Sequence, residues 1–104
     1  MNENMIKITL YLNEDDHWDH RPSYIAILHM LKKKGISGGT VLHAVAGFTN
    51  RENAEITTLV DIDSKLPLVV EFIDTADKIE AILPELKGIV GKRLITREIV
   101  EVIV

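Results

Sequence analysis

A chain of 104 residues, 46% apolar and only 5% aromatic, is long enough for one domain with a mostly aliphatic core. Its formal charge of −4 gives no electrostatic reason to expect nucleic acid or an anionic membrane as partner, and the absence of cysteine excludes disulfides and thiol catalysis. The acidic start Met-Asn-Glu-Asn leads straight into a predicted strand, so no signal peptide is expected, and no apolar run approaches the ~20 residues a membrane helix needs. A single domain over residues 1–104, in the cytoplasm, is the expectation.

Residues 5–12 alternate strictly. Ile6, Ile8, Leu10 and Leu12 fall on one side and Lys7, Thr9 and Tyr11 on the other, which predicts a first strand. The polar stretch that follows carries Glu14, Asp15, Asp16, His17, Asp19 and His20, ligand-type side chains at close spacing. His17, His20 and Asp16 are weak metal candidates, because zinc needs three or four ligands converging at ~2 Å and a polar loop seldom supplies them alone. Capping and solvation are the alternative.

Pro22 suits a first helical position, where its missing amide costs nothing. Tyr24, Ile27, Leu28 and Leu31 then recur at helical spacing, and Lys32, Lys33 and Lys34 sit where cations complement the negative end of a helix. Gly35 is placed to end that helix in a left-handed conformation. Gly38-Gly39 predicts a tight turn or a close backbone approach. The run beyond it, to Gly47 and Phe48, predicts a second strand that is apolar at both parities: Val41 and Val45 against Leu42, Ala44 and Ala46. Such a strand must be covered on both faces.

Residues 49–65 carry no clear pattern beyond a short extended piece near 56–60, and connections of this length in compact domains are usually functional. Residues 66–73 predict a third strand, again apolar at both parities, with Pro67 near its start. Asp74-Thr75 supplies a helix cap. Ile79, Ile82, Leu83, Leu86 and Val90 line one face of a second helix, in which Pro84 predicts a kink or a restart and which Gly88 and Gly91 end. Residues 95–104 close the chain as a strand. His29, near the buried helix face, and His43, on the apolar strand, are read as packed or hydrogen-bonded rather than ligating.

The order β-α-β-β-α-β is the split-βαβ, ferredoxin-like arrangement of class α+β: an antiparallel sheet with two helices on one face. Two helices cannot cover both sides of that sheet. At ~25 cal/mol per Å² of apolar area, the second face favours self-association.

Gly-Ile-Ser-Gly-Gly-Thr-Val at 35–41, followed by Ala46-Gly47-Phe48, resembles the second strand of the PII nitrogen-regulatory signalling proteins. The nearer resemblance is to a PII-like uncharacterised family, domain of unknown function 190. It is carried by Tyr11-Leu12, Glu14, Asp16, Trp18 and Pro22, by the Leu66-Pro67 strand with Glu71 and Asp74, and by residues 79–86. It spans nearly the whole chain.

The resemblance implies a homotrimer with sheets packed inward, clefts between subunits that bind adenine nucleotides, and a long loop after strand two that engages a target such as a transporter. Carried across, Thr40, Gly47 and Phe48 line the approach to that loop, and Arg51 stands at its root. The phosphate loop after helix two corresponds to 88–92, with Gly91, Lys92 and Arg93 as the expected ligand-binding residues. Two alternatives stand beside the regulatory reading: a trimeric divalent-metal-binding protein similar in fold to the cation-tolerance family, and a ligand-free interaction module. Gly38-Gly39-Thr40 lacks P-loop spacing, Ser23, Ser37 and Ser64 lack a nucleophile elbow or a neighbouring base, and no enzyme or cofactor is expected.

Overall fold

The computed structural model describes residues 2–47, 57–58 and 66–104. In chain order the elements are β1 (Asn2–Asn13), β2 (His17–Trp18), β3 (Arg21–Pro22), α1 (Ser23–Lys33), β4 (Thr40–His43), β5 (Ala46–Gly47), β6 (Thr57–Thr58), β7 (Pro67–Asp74), α2 (Ala76–Val90) and β8 (Leu94–Ile103). The main sheet is antiparallel in the order β4-β7-β1-β8, with the first and third long strands central as the split-βαβ pattern requires.

The alternation of β1 puts Ile6, Ile8, Leu10 and Leu12 under the helices, beside Leu68, Val70 and Phe72 of β7. On α1 the buried stripe is Ser23, Ala26, Ile27, Met30 and Leu31, rotated from the predicted one: Tyr24 and Leu28 are only half-buried. On α2 it is Ile79, Ile82, Leu86, Ile89 and Val90. These side chains form one aliphatic cluster between the sheet and the two helices.

Helix ends follow their capping chemistry. Pro22 is the cap residue rather than the first helical one, since its φ of −57° is helical but its ψ of 134° is extended and lets it pair with His17 in a small hairpin. At the other end of α1, Gly35 has φ +79°, Ile36 N–H bonds the Leu31 carbonyl and Gly35 N–H bonds that of Lys32. This is the Schellman pattern, completed by Ile36 and Leu31 both entering the core.

The second helix does not restart at Pro84 but runs through it as one span; Pro84 and Glu80, whose carbonyl loses its helical partner there, are both exposed residues. It also passes Gly88 and stops only at Gly91, whose φ is +67° and whose N–H bonds the Lys87 carbonyl.

The apolar run after Gly39 is not one strand. β4 ends at His43, opposite Leu68, because the next residue of its partner is Pro67, which has no N–H to continue the ladder. Ala44 N–H takes the Pro67 carbonyl as the last bond, and the chain then leaves the sheet to pair Ala46–Gly47 with Thr57–Thr58. That pairing is the short extended piece expected near 56–60. The remainder of 48–65, with Phe48, Arg51 and the long connection, lies outside the described residues.

Among the described residues, no helix packs on the sheet face opposite α1 and α2, hereafter the bare face. Across it Leu42, Val69, Tyr11 and Leu94 stand in register on the four strands as an apolar row. A polar row of Thr40, Glu71, Thr9 and Thr96 lies beside it, and Ile73, Lys7 and Glu98 form the next. Leu42, Tyr11 and Ile73 are 48%, 40% and 37% exposed.

Candidate functional site

Three backbone turns build a hollow at one end of the molecule. The polar stretch after β1 is a two-residue β-hairpin: Trp18 pairs with Arg21, and Asp19 and His20 take φ of 51° and 65°. A two-residue hairpin turn requires positive φ, and Asp and His tolerate it better than most side chains. Asp16 precedes this hairpin and is held on all sides. Its N–H bonds the Asn13 carbonyl, its own carbonyl accepts Ser23 N–H, and its Oδ2 accepts Asn13 N–H at 3.1 Å. The start of α1 is thereby fixed above the end of α2.

Gly91, Lys92 and Arg93 connect α2 to β8 directly beneath. Together with Asp16, His17, Ser23, Ile89 and Val90 they line a shallow hollow of about 300 Å³ that is open to solvent. The Arg93 side chain is engaged inside the chain: Nε donates to Asp16 Oδ2 at 2.9 Å and Nη2 to Oδ1 at 2.7 Å, a bidentate pair across 77 positions of sequence. Sequence reading separates these two residues into a metal candidate and a phosphate candidate. No linear signal links them.

Thr40 is not part of this hollow. It lines a second one, about 390 Å³, on the bare sheet face with Lys7, Ser37 and Glu71. There Lys7 Nζ bonds Glu71 Oε2 at 2.9 Å, which holds the Lys7 amine above its ordinary pKa; Glu98 is more loosely placed at 4.0 Å. Gly39 packs beside α1, where a Cβ would lie 3.4 Å from Leu28 Cδ2, an ordinary contact, and a Cβ on Gly38 would meet open space. Gly47 sits in β5 beside Pro67. Strands β4 and β8 are opposite edges of the sheet, three strand spacings or ~14 Å apart. One copy of the chain therefore does not bring Thr40 and Gly47 to Gly91, Lys92 and Arg93.

Two further polar knots are not legible in the sequence. Glu14 grips both roots of the 44–66 segment: Oε1 accepts Leu66 N–H at 2.9 Å and Oε2 meets His43 Nε2 at 3.2 Å, while Glu14 N–H bonds the Leu66 carbonyl. His43 is 60% exposed there, hydrogen-bonded rather than packed. His29 is exposed too, its Nδ1 accepting from Arg21 Nη1. Asp74, 3% exposed, receives Ser37 N–H and Oγ–H on Oδ2 and Thr75 N–H on Oδ1. Burial pushes its carboxyl upward; the donors of Thr75 and Ser37, with Lys78 nearby, outweigh that and hold it below the ordinary aspartate value.

Among the described residues, no three His, Cys, Asp or Glu side chains converge as a metal site requires. His17 Nδ1 instead faces the Asp15 carbonyl at 2.7 Å, and His20 serves the hairpin turn. No helix among the described residues is long and apolar enough to cross a membrane.

Comparison with known proteins agrees with this architecture. A UPF0166 protein of Aquifex aeolicus is 38% identical over 96 residues, 92% of this chain and 90% of that protein. A UPF0166 protein of Methanocaldococcus jannaschii is 31% identical over 83 residues, 80% and 76% of the two chains. Among solved structures, the GlnK–ATP complex of B. subtilis matches with a TM-score of 0.54 over 93% of this chain and 82% of that one. At 14% identity that likeness is one of fold, and it makes the fold PII-like. The family model DUF190, described as an uncharacterized ACR, matches residues 5–102, and the chain belongs to that family.

Proposed function

We propose that this protein is a PII-like regulatory protein without enzymatic activity: a homotrimer that binds a small anionic ligand, an adenine nucleotide, in clefts between subunits. Occupancy would be passed through residues 49–65 to a partner protein such as a transporter. The observation that carries the reading is the division of the candidate residues between opposite edges of a sheet whose second face is bare. Packing those bare faces together buries Leu42, Tyr11 and Ile73 and sets the β4 edge of one copy beside the β8 edge of the next. Thr40 and Gly47 would then meet the Gly91, Lys92 and Arg93 of a neighbour, with Arg51 as a further proposed ligand contact. The fold is shared with a protein solved as an ATP complex, which supports a nucleotide as the first ligand to try.

Glycine-freed amides and two cations suit a phosphate through charge-assisted hydrogen bonds. Signalling further requires the ligand to prefer one state of the loop, since equal affinity for two states shifts neither. The test is calorimetry with ATP, ADP and AMP on the wild type and on Lys92→Ala with Arg93→Ala. Binding that disappears in the double variant supports the reading. Binding that survives it moves the site elsewhere, and no binding of any of the three leaves an interaction module without a ligand.

A further inference from the structure

The Arg93 guanidinium that the proposed site offers to a phosphate already holds an anion. Asp16 presents its carboxylate in fork-to-fork geometry, 2.9 and 2.7 Å from Nε and Nη2, at the wall of the 300 Å³ hollow. Both side chains are about one-fifth exposed, so the pair is reachable from solvent and not locked in the core. Asp16 does not depend on Arg93 for its position, because Asn13 N–H, the Asn13 carbonyl and Ser23 N–H fix its carboxylate and backbone independently.

From this arrangement we infer that Asp16 is an internal competitor for the ligand: a built-in carboxylate that occupies the anion position of Arg93 until a phosphate displaces it. The inference rests on the anion-binding reading of the 91–93 turn and deepens it by naming how the empty site is kept closed. A phosphate that approaches the Nε–Nη2 side of the guanidinium wants the same two N–H groups as the carboxylate, and that side of the fork serves one such partner at a time. The resting pair keeps Arg93 satisfied at a cost in ligand affinity equal to the free energy of breaking it. A partly exposed ion pair is weak enough to be displaced, unlike a fully buried one.

Displacement also has a place to be read out. Asp16 is two residues from Trp18, the one tryptophan of the chain, which stands 39% exposed in the β2–β3 hairpin. A carboxylate freed from Arg93 changes the charge beside that hairpin, and with it the surroundings of the indole.

The experiment measures ATP and pyrophosphate binding by calorimetry on the wild type, Asp16→Asn, Asp16→Ser and Arg93→Ala, with Trp18 fluorescence followed in parallel. Asn and Ser both keep an oxygen for Asn13 N–H while removing the competing charge, so two independent variants guard against a folding failure in one; far-UV circular dichroism confirms each. The expected result is about tenfold tighter binding in both Asp16 variants and loss of binding in Arg93→Ala. Binding by the Asp16 variants alone, with none in wild type, supports the inference as well. Wild-type binding that is unchanged or weakened in both Asp16 variants overturns the competitor role and leaves the nucleotide site standing. No binding in any form overturns the site itself, and the competitor with it.

Discussion

Replacing Asp74 by Ala should destabilise this protein more than any other single polar substitution among the described residues. The carboxylate ties the segment that leads into β4 to the first turn of α2 through three donors at 2.7, 2.9 and 3.0 Å. Thr75, beside it, caps the helix by accepting Lys78 N–H on its hydroxyl, and Lys78 Nζ reaches back to the Gly35 carbonyl. Hydrogen bonds to a charged group contribute about 1.5–3 kcal/mol each when the donors they leave behind stay dry. Ser37 and Thr75 are both exposed and can rehydrate, so each of the three bonds counts below that range, at about 0.7–1 kcal/mol. The total comes to about 2–3 kcal/mol. For a chain of this size that lowers the melting temperature by roughly 10 °C.

The pH dependence gives a second handle. The folded-state pKa of Asp74 is depressed, so its contribution is fully present above the unfolded value and is lost as pH falls through the folded one. The gap in melting temperature between wild type and Asp74→Asn should therefore be constant near neutrality and close below about pH 4, where an unfolded aspartate protonates. Calorimetric melts at one protein concentration, from pH 7 to pH 3, measure both effects. A loss under about 0.5 kcal/mol in Asp74→Ala, or a gap that widens on acidification, would refute the reasoning.

Other substitutions test other parts of the fold. His20→Gly gives the hairpin an Asp-Gly turn, the pair that positive φ at both turn positions favours, and should stabilise by about 0.5 kcal/mol in a thermal melt; a destabilised variant would show that the His20 ring makes contacts worth more than the backbone strain. Tyr11→Glu places a charge in the middle of the apolar row on the bare face, and light scattering coupled to size exclusion should find about three times 11.7 kDa for wild type against 11.7 kDa for the variant. A monodisperse wild-type monomer would end the trimer reading.

The parts of the molecule legible in the sequence are those set by short-range periodicity. Ile6, Ile8, Leu10 and Leu12 declare a half-buried strand because alternation is a local property, and Gly35 declares a helix end because its left-handed φ is needed within one turn. What escapes depends on residues far apart. The end of β4 at His43 is dictated by Pro67 on the neighbouring strand, not by anything in the run that contains His43. Asp16 reads as a loop acid because its partner Arg93 lies 77 residues away, and Glu14 gives no sign that it holds Leu66 across 52. Pro84 alone does not say whether its helix stops or continues: the helix continues where Pro84 and Glu80 are both exposed, and exposure is a tertiary fact.

On the proposed assembly, the polar row of the bare face matters more for function than the apolar one. Leu42, Val69, Tyr11 and Leu94 supply adhesion, but apolar contact is non-directional and would accept many orientations of a second copy. Thr40, Glu71 and Thr96 cannot be buried so freely, because every polar atom taken from water needs a partner in the interface, whereas Thr9 is already buried within the chain. The Lys7 group adds a sign: one cation stands between Glu71 at 2.9 Å and Glu98 at 4.0 Å, leaving a net charge of −1 per copy. Copies stacked with these groups in direct opposition repel. A rotation that sets the loosely held Glu98 of one copy near Lys7 of another relieves the repulsion and fixes the register. In the proposed trimer that same rotation would decide whether the β4 edge with Thr40 reaches the turn at Gly91, Lys92 and Arg93, so the geometry of the proposed cleft would follow from the charges on the sheet face.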